Sequence, residues 1–202
     1  HIQNGSQAKV DGTSYLAMFS IHNTNNVHIE NFKSSSNTDA DDMLHVVYGN
    51  NIYLKNVEFR KAKLDAIDID LSTVDIDGVI IIEAGNDCID IMGGSIRVKR
   101  ALLSGCGDKG ISVGENSKAV IDTADIEKTS TGVAAKDGSL VRITNSNFSD
   151  NSVHIDSYLK NWRYGQIGAT VTISRANFSG PVNHFQTDVT SSVVIGSSRI
   201  PG

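Results

Sequence analysis

No stretch of this 202-residue chain is long or apolar enough for a membrane-crossing helix, so no membrane insertion is expected. No stripe of Lys and Arg exists to displace phosphate counterions, and the net charge is −5, which together exclude nucleic acid as a partner. No CxxC pair or Cys/His cluster has zinc spacing. No signal peptide is visible, so location has to be inferred from fold type. Only two prolines occur and aromatic residues are 6%. What dominates is Gly, Ser, Asn, Asp, Val and Ile, the mix of short strands and tight turns rather than of helices.

What is present is a repeat of about 22 residues. Leu44-His45-Val46, Ile67-Asp68-Ile69, Ile89-Asp90-Ile91, Ile111-Ser112-Val113, Val133-Ala134-Ala135 and Val153-His154-Ile155 align, their first residues spaced 23, 22, 22, 22 and 20 apart. A second series follows: Ile29, Leu54, Ile76, Val98, Ile121, Ile143, Ile173 and Ile195. A fixed period built from short alternating strands marks a solenoid. The connections are too short for helices, so each strand must pair with its copy in the next coil. A β-sandwich would need hairpins and would not explain columns at a constant offset. The leucine-rich repeat signature is missing.

The expected fold is therefore all-β: a right-handed parallel β-helix of about eight coils, roughly 35–40 Å long at about 4.8 Å per coil. Residues 1–202 form one domain, with 1–20 as an N-terminal coil or cap and 156–168 as an inserted loop. Phase shifts at Asn56, Gly78, Thr123 and Asn145 mark a bend in each coil. Cys88 and Cys106 fall in different columns, so two unpaired thiols are expected ahead of a disulfide. Ser192–Ile200 reads as a complete strand with little to cap it, which favours a fragment, a neighbouring domain or self-association through the coil ends.

The outward columns differ between the two strand series. Glu30, Lys55, Asp77, Lys99 and Asp122 alternate in sign, as do Asp75 and Arg97 beside Tyr53, giving a charge-balanced solvated face. The other series stacks acids: Asp65, Asp68, Asp70, Asp87 and Asp90 crowd two adjacent coils, with Lys109 the nearest cation in register. Stacked carboxylates repel unless a proton is shared or a cation intervenes. Three readings stay open. Asp42, Asp65 and Asp87 cap turns by accepting backbone N–H groups. Asp68, Asp70 and Asp90 hold Ca²⁺. Or Asp65, Asp68, Asp87, Asp90 and Lys109 form acid–base machinery for a polymer lying along the sheet. His45 and His154, about five coils apart, read as ordinary surface histidines.

The inserted loop carries Tyr158, Lys160, Trp162, Arg163 and Tyr164, flat aromatic faces beside cationic donors that suit sugar rings and carboxylates or, equally, cover a sheet. Gly110-Ile111-Ser112-Val113-Gly114 matches G-x-S-x-G, but a mid-strand Ser112 lacks the strand-turn-helix context of a nucleophile elbow.

Coil length and Asn/Gly-rich bends resemble right-handed β-helix proteins of the pectin-lyase-like type. Leu64-Asp65-Ala66-Ile67-Asp68, Asn86-Asp87-Cys88-Ile89 and Asp108-Lys109-Gly110-Ile111-Ser112-Val113-Gly114 are similar to the polygalacturonase motif series. The resemblance implies uronan hydrolysis, yet the position of the general acid is Asn86, the His position is Lys109 and the Arg position is Ala134. A closer likeness is to β-helix domains of bacterial surface proteins, carried by Gly107–Glu115, Val133–Ser139 and Tyr158–Gly165. It implies an extracellular or cell-surface β-helix. The leading expectation is a carbohydrate-associated binding or scaffold module with polysaccharide as partner. The alternatives are a polysaccharide lyase or glycoside hydrolase, the lyase using Lys109 with a metal at the acidic cluster, and a structural or self-assembling spacer.

Overall fold

Alternation leaves every short strand with one apolar face, and the chain buries that face by winding around it. The computed structural model describes residues 1–37, 39–180 and 183–200. Its coils stack as a parallel β-solenoid of two large sheets. Sheet A has fourteen strands, and sheet B has eight that follow one another in chain order from Phe19–His22 to Phe185–Thr187. Between them lies one apolar core running the length of the molecule. Leu44, Ile67, Ile89, Ile111, Val133 and Ile155 stack in it from sheet B, and Leu54, Ile76, Val98, Ile121, Ile143 and Ile173 from sheet A, all at most 1% exposed.

Most coils bend within sheet A at one residue of left-handed conformation, the coil of Arg100 being an exception. Asn31, Asn56, Gly78, Thr123, Asn145 and Arg175 occupy this corner with φ between 50° and 92°. Asn and Gly tolerate the left-handed conformation at least cost, as the phase shifts had indicated. Serine hydroxyls knit the corners vertically. Gly49 N–H donates to Ser72 Oγ at 2.8 Å, Ser117 N–H to Ser139 Oγ at 3.1 Å and Ala124 N–H to Ser146 Oγ at 3.1 Å. Buried turn amides thus find partners one coil away.

Ahead of the regular coils, Ala8–Val10 and Thr13–Tyr15 form an antiparallel hairpin. Its turn is Asp11-Gly12, both at positive φ, as a tight hairpin turn requires. Residues 1–20 therefore supply this hairpin as well as strand residues of the first coil.

Four expectations change. The sheet B partner of Val133 is Ile155, not Val153, so the 20-residue spacing was a misaligned column. His154 consequently follows Gly132, Gly110 and Cys88 in a column at the inner corner and is fully buried. Asp156 and Tyr158 belong to the strand Val153–Tyr158, so the insertion runs over 159–169. Finally, Cys88 and Cys106 form a disulfide, with Cα atoms 5.6 Å apart. Different columns do not keep inward side chains apart when they meet across a corner of the coil.

Candidate functional site

Two features stand out on sheet B and its insertion, and a third lies at the bend of sheet A. On sheet B, Asp65 and Asp87 precede their strands and turn back onto the next coil. Asp65 Oδ1 accepts the Asp87 N–H at 2.7 Å and the Asn86 side-chain amide at 2.8 Å, and Asp87 Oδ1 accepts the Lys109 N–H at 2.9 Å. Both carboxylates therefore cap turns. Burial pushes Asp65 up, and pushes Asp87 to about 7 against the pull of Lys109. Asp42, in the same column, rises to about 6 through burial and Asp65. Lys109 lies 3.6 Å from Asp87 and also contacts Asp108. Burial works against its charge, but these acids outweigh it and raise its pKa.

Farther along the same face, His45 joins the acids. Its Nε2 is 3.1 Å from Asp70 Oδ2 and 3.4 Å from Asp68 Oδ2. It is neither a free surface group nor remote from the cluster. Burial and then Asp70 raise Asp68 to about 8, while the bond to Asp70, opposed by burial, raises His45. His45, Asp68 and Asp70 each offer an atom within 4.8 Å of the others, the one such group among the described residues. That is the set whose spacing a single cation could span. Asp90, expected with Asp68 and Asp70, lies outside it: its column passes from Asp68 to Ser112, whereas Asp70 is followed by Met92.

Lys136, an outward residue by parity, folds down over Gly114 and donates to Ser112 Oγ at 2.7 Å. Both are buried. A Cβ on Gly114 would sit 3.2 Å from Lys136 Cε, so glycine there gives the lysine chain its path. Ser112 remains mid-strand and covered, unlike a nucleophile on an elbow.

The insertion divides the residues expected to bind substrate. Tyr158 stays half-buried on sheet B beside Lys136 in register. Lys160, Trp162, Arg163 and Tyr164 are exposed on the loop. Fixed acceptors fasten that loop at its start. The Lys160 and Asn161 N–H groups both donate to Asp137 Oδ1 at 2.7 Å, and the Leu159 N–H donates to Asp188 Oδ2 at 2.7 Å. Asn161 then caps a 3₁₀ turn, Trp162–Tyr164, accepting the Arg163 N–H at 3.1 Å. Trp162 projects 75% exposed and Tyr164 41%. Tyr164, Leu140, Ile167, Gln166 and Asn116 line a cavity of about 270 Å³ at the base of the loop.

The third feature was missed from sequence. Along the bend of sheet A runs a trough of about 490 Å³ lined by the exposed Ile80 and Leu102 together with Asn31, Asn56 and Arg100. The phase shifts at Asn56, Gly78 and Thr123 were its signal: the same bend in consecutive coils folds a flat face into a concave one.

A family model described as right handed beta helix region matches residues 42–199. No curated protein matches the chain.

Proposed function

The chain belongs to the right-handed β-helix family, and from that premise we propose that it is an extracellular module that binds polysaccharide. The observation that carries this reading is the inserted loop. It holds a three-quarters-exposed indole on a turn tied down by Asp137 and Asp188. An aromatic face kept in water gains by stacking against the CH face of a sugar, and a loop ordered in advance loses little entropy on binding. Tyr164 and the cavity below it, with Asn116 and Gln166, add a second ring and amide partners for hydroxyls. The Cys88–Cys106 disulfide favours an oxidising compartment, supporting the extracellular placement.

Binding of the folded chain to a panel of immobilised glycans tests this. Trp162→Ala should weaken binding at least about tenfold without lowering the melting temperature. A parent chain that retains no glycan in the panel would point instead to a structural spacer.

A second reading attaches to sheet B, where raised acids lie side by side. Asp68, protonated over part of the neutral range, would serve as a general acid on a uronan. Release of reducing ends, or growth of the ultraviolet band of unsaturated uronate, would support it. Equal activity in Asp68→Asn would remove Asp68 from that role.

A further inference from the structure

We propose that the trough at the bend of sheet A is a second binding site, taking an extended strand of neutral polysaccharide along the solenoid axis. The inference rests on the polysaccharide reading above and names a substrate class and a place that the loop does not.

The shape comes from backbone geometry. Asn31, Asn56, Gly78 and Thr123 all turn at positive φ, and the trough crosses their coils at about 4.8 Å per step. Along it, one residue per coil, runs one registered row: Lys33, Glu58, Ile80, Leu102 and Asp125. Ile80 and Leu102, neighbours in the middle, are 37% and 38% exposed. Together they give an apolar floor at the centre of the row, between Glu58 and Asp125.

Charge selects the ligand. The cations around the floor are already matched: Lys33 Nζ lies 2.7 Å from Glu58 Oε2, and Arg100 Nη2 lies 2.9 Å from Asp77 Oδ1. Asp125 accepts the Asn147 amide at 2.6 Å. An anionic polymer would have to compete with Glu58 and Asp77 for Lys33 and Arg100, and would meet Asp125, which no cation pairs among the described residues. A cationic one would gain only that single charge. A neutral sugar chain asks for an apolar floor under its CH faces and amide partners at its hydroxyl edges. Asn31 and Asn56 supply the amides. The volume of about 490 Å³ lies within the range of sites that enclose small ligands, room for a short run of sugar units.

The test is titration calorimetry of the full chain with soluble neutral glucan, mannan and xylan and with polygalacturonate, at low and high salt. Variants are Leu102→Glu, Ile80→Glu and Trp162→Ala, each checked by circular dichroism and melting. Both positions face outward, so the fold should persist; Leu102→Gln serves where the acid does not fold. We expect at least one neutral polymer to bind with little salt dependence, and Leu102→Glu to weaken it about tenfold or more. Loss in Trp162→Ala with full affinity in both trough variants overturns the trough and leaves the loop reading standing. Binding confined to polygalacturonate and abolished by salt also overturns it. So does a change from dimer to monomer in Leu102→Glu with no change in glycan affinity, since the trough would then cover a second copy of the chain. No binding by the parent chain removes both readings.

Discussion

Cys88 and Cys106 are bonded across a corner of the solenoid, Cα to Cα 5.6 Å, although 18 residues separate them in sequence. The bond ties the inner corner of sheet B to the end of a sheet A strand, closing most of one coil. A loop of this length, cross-linked in the unfolded chain, is worth about 3 kcal/mol. Reduction, or the pair Cys88→Ser and Cys106→Ser, should lower the melting temperature by roughly 6–12 °C at the scale usual for this chain length. Scanning calorimetry with and without reductant measures it. An unchanged melting temperature would mean that the neighbouring coils hold the corner without the bond.

Stability should fall as pH rises from about 4 to about 8 at the acidic face. Asp42, Asp68 and Asp87 ordinarily titrate at 3.8 but are raised to about 6, 8 and 7 in the fold, mainly by burial. Between those values the folded chain holds protons that the unfolded chain has released, so raising pH favours unfolding. His45, also raised, acts in the same direction: its stabilising charge is complete below 6.5 and is lost through its higher folded value. Asp68→Asn mimics the protonated acid at every pH. Its advantage over the parent in melting temperature should be near zero at pH 4 and grow steadily to pH 8. A constant difference would show that Asp68 ionises normally.

How much of this was legible in the chain follows from what a period encodes. The period fixes what lies above what, so the columns Ile29 to Ile195 and Glu30 to Lys55 to Asp77 were readable, and the structure pairs them in register. It does not encode angles between sheets. The trough depends on the sharpness of the bend at Asn56 and Gly78, and the disulfide depends on two columns converging across a corner. The period also sets His45 over Asp68, but it does not encode the side-chain rotamer that turns the ring toward Asp70 as well, the step from a surface histidine to a member of the cluster. His154 was misplaced because Val153 resembles the strand-leading residue that Ile155 is. The unequal 20-residue interval was the available warning.

Asp137 should matter more to the loop than to the solenoid. It is fully buried, and its Oδ1 takes both the Lys160 and Asn161 N–H groups. Asp137→Ala leaves two amides without their acceptor, at a cost of about 1–3 kcal/mol each if they stay buried, so the loop opens instead. Limited proteolysis should then cut within 159–169 while the rest of the chain resists. Asp137→Asn, which keeps a carbonyl oxygen, should resist cleavage better than Asp137→Ala. Glycan binding through Trp162 should weaken in step with cleavage.

His154 should set the acid limit of the C-terminal coils. Its ring is fully buried, 6.0 Å from Phe148, 5.7 Å from Phe178 and 5.2 Å from His184, onto which it stacks. Nδ1 meets the Asn151 amide at 3.1 Å, and Nε2 has no hydrogen-bond partner among the described residues. Burial first and His184 second lower its pKa to about 4. An unfolded chain takes up this proton near 6.5, the folded chain only near 4, so stability is complete above 6.5 and drains away as pH falls between the two. His154→Phe removes the titrating group and keeps an aromatic ring in the stack, at the cost of the Asn151 contact. The variant should be less stable than the parent at pH 7.5 and gain on it steadily down to pH 4. Parallel melting curves across that range would show that the folded chain takes up the proton as readily as the unfolded one.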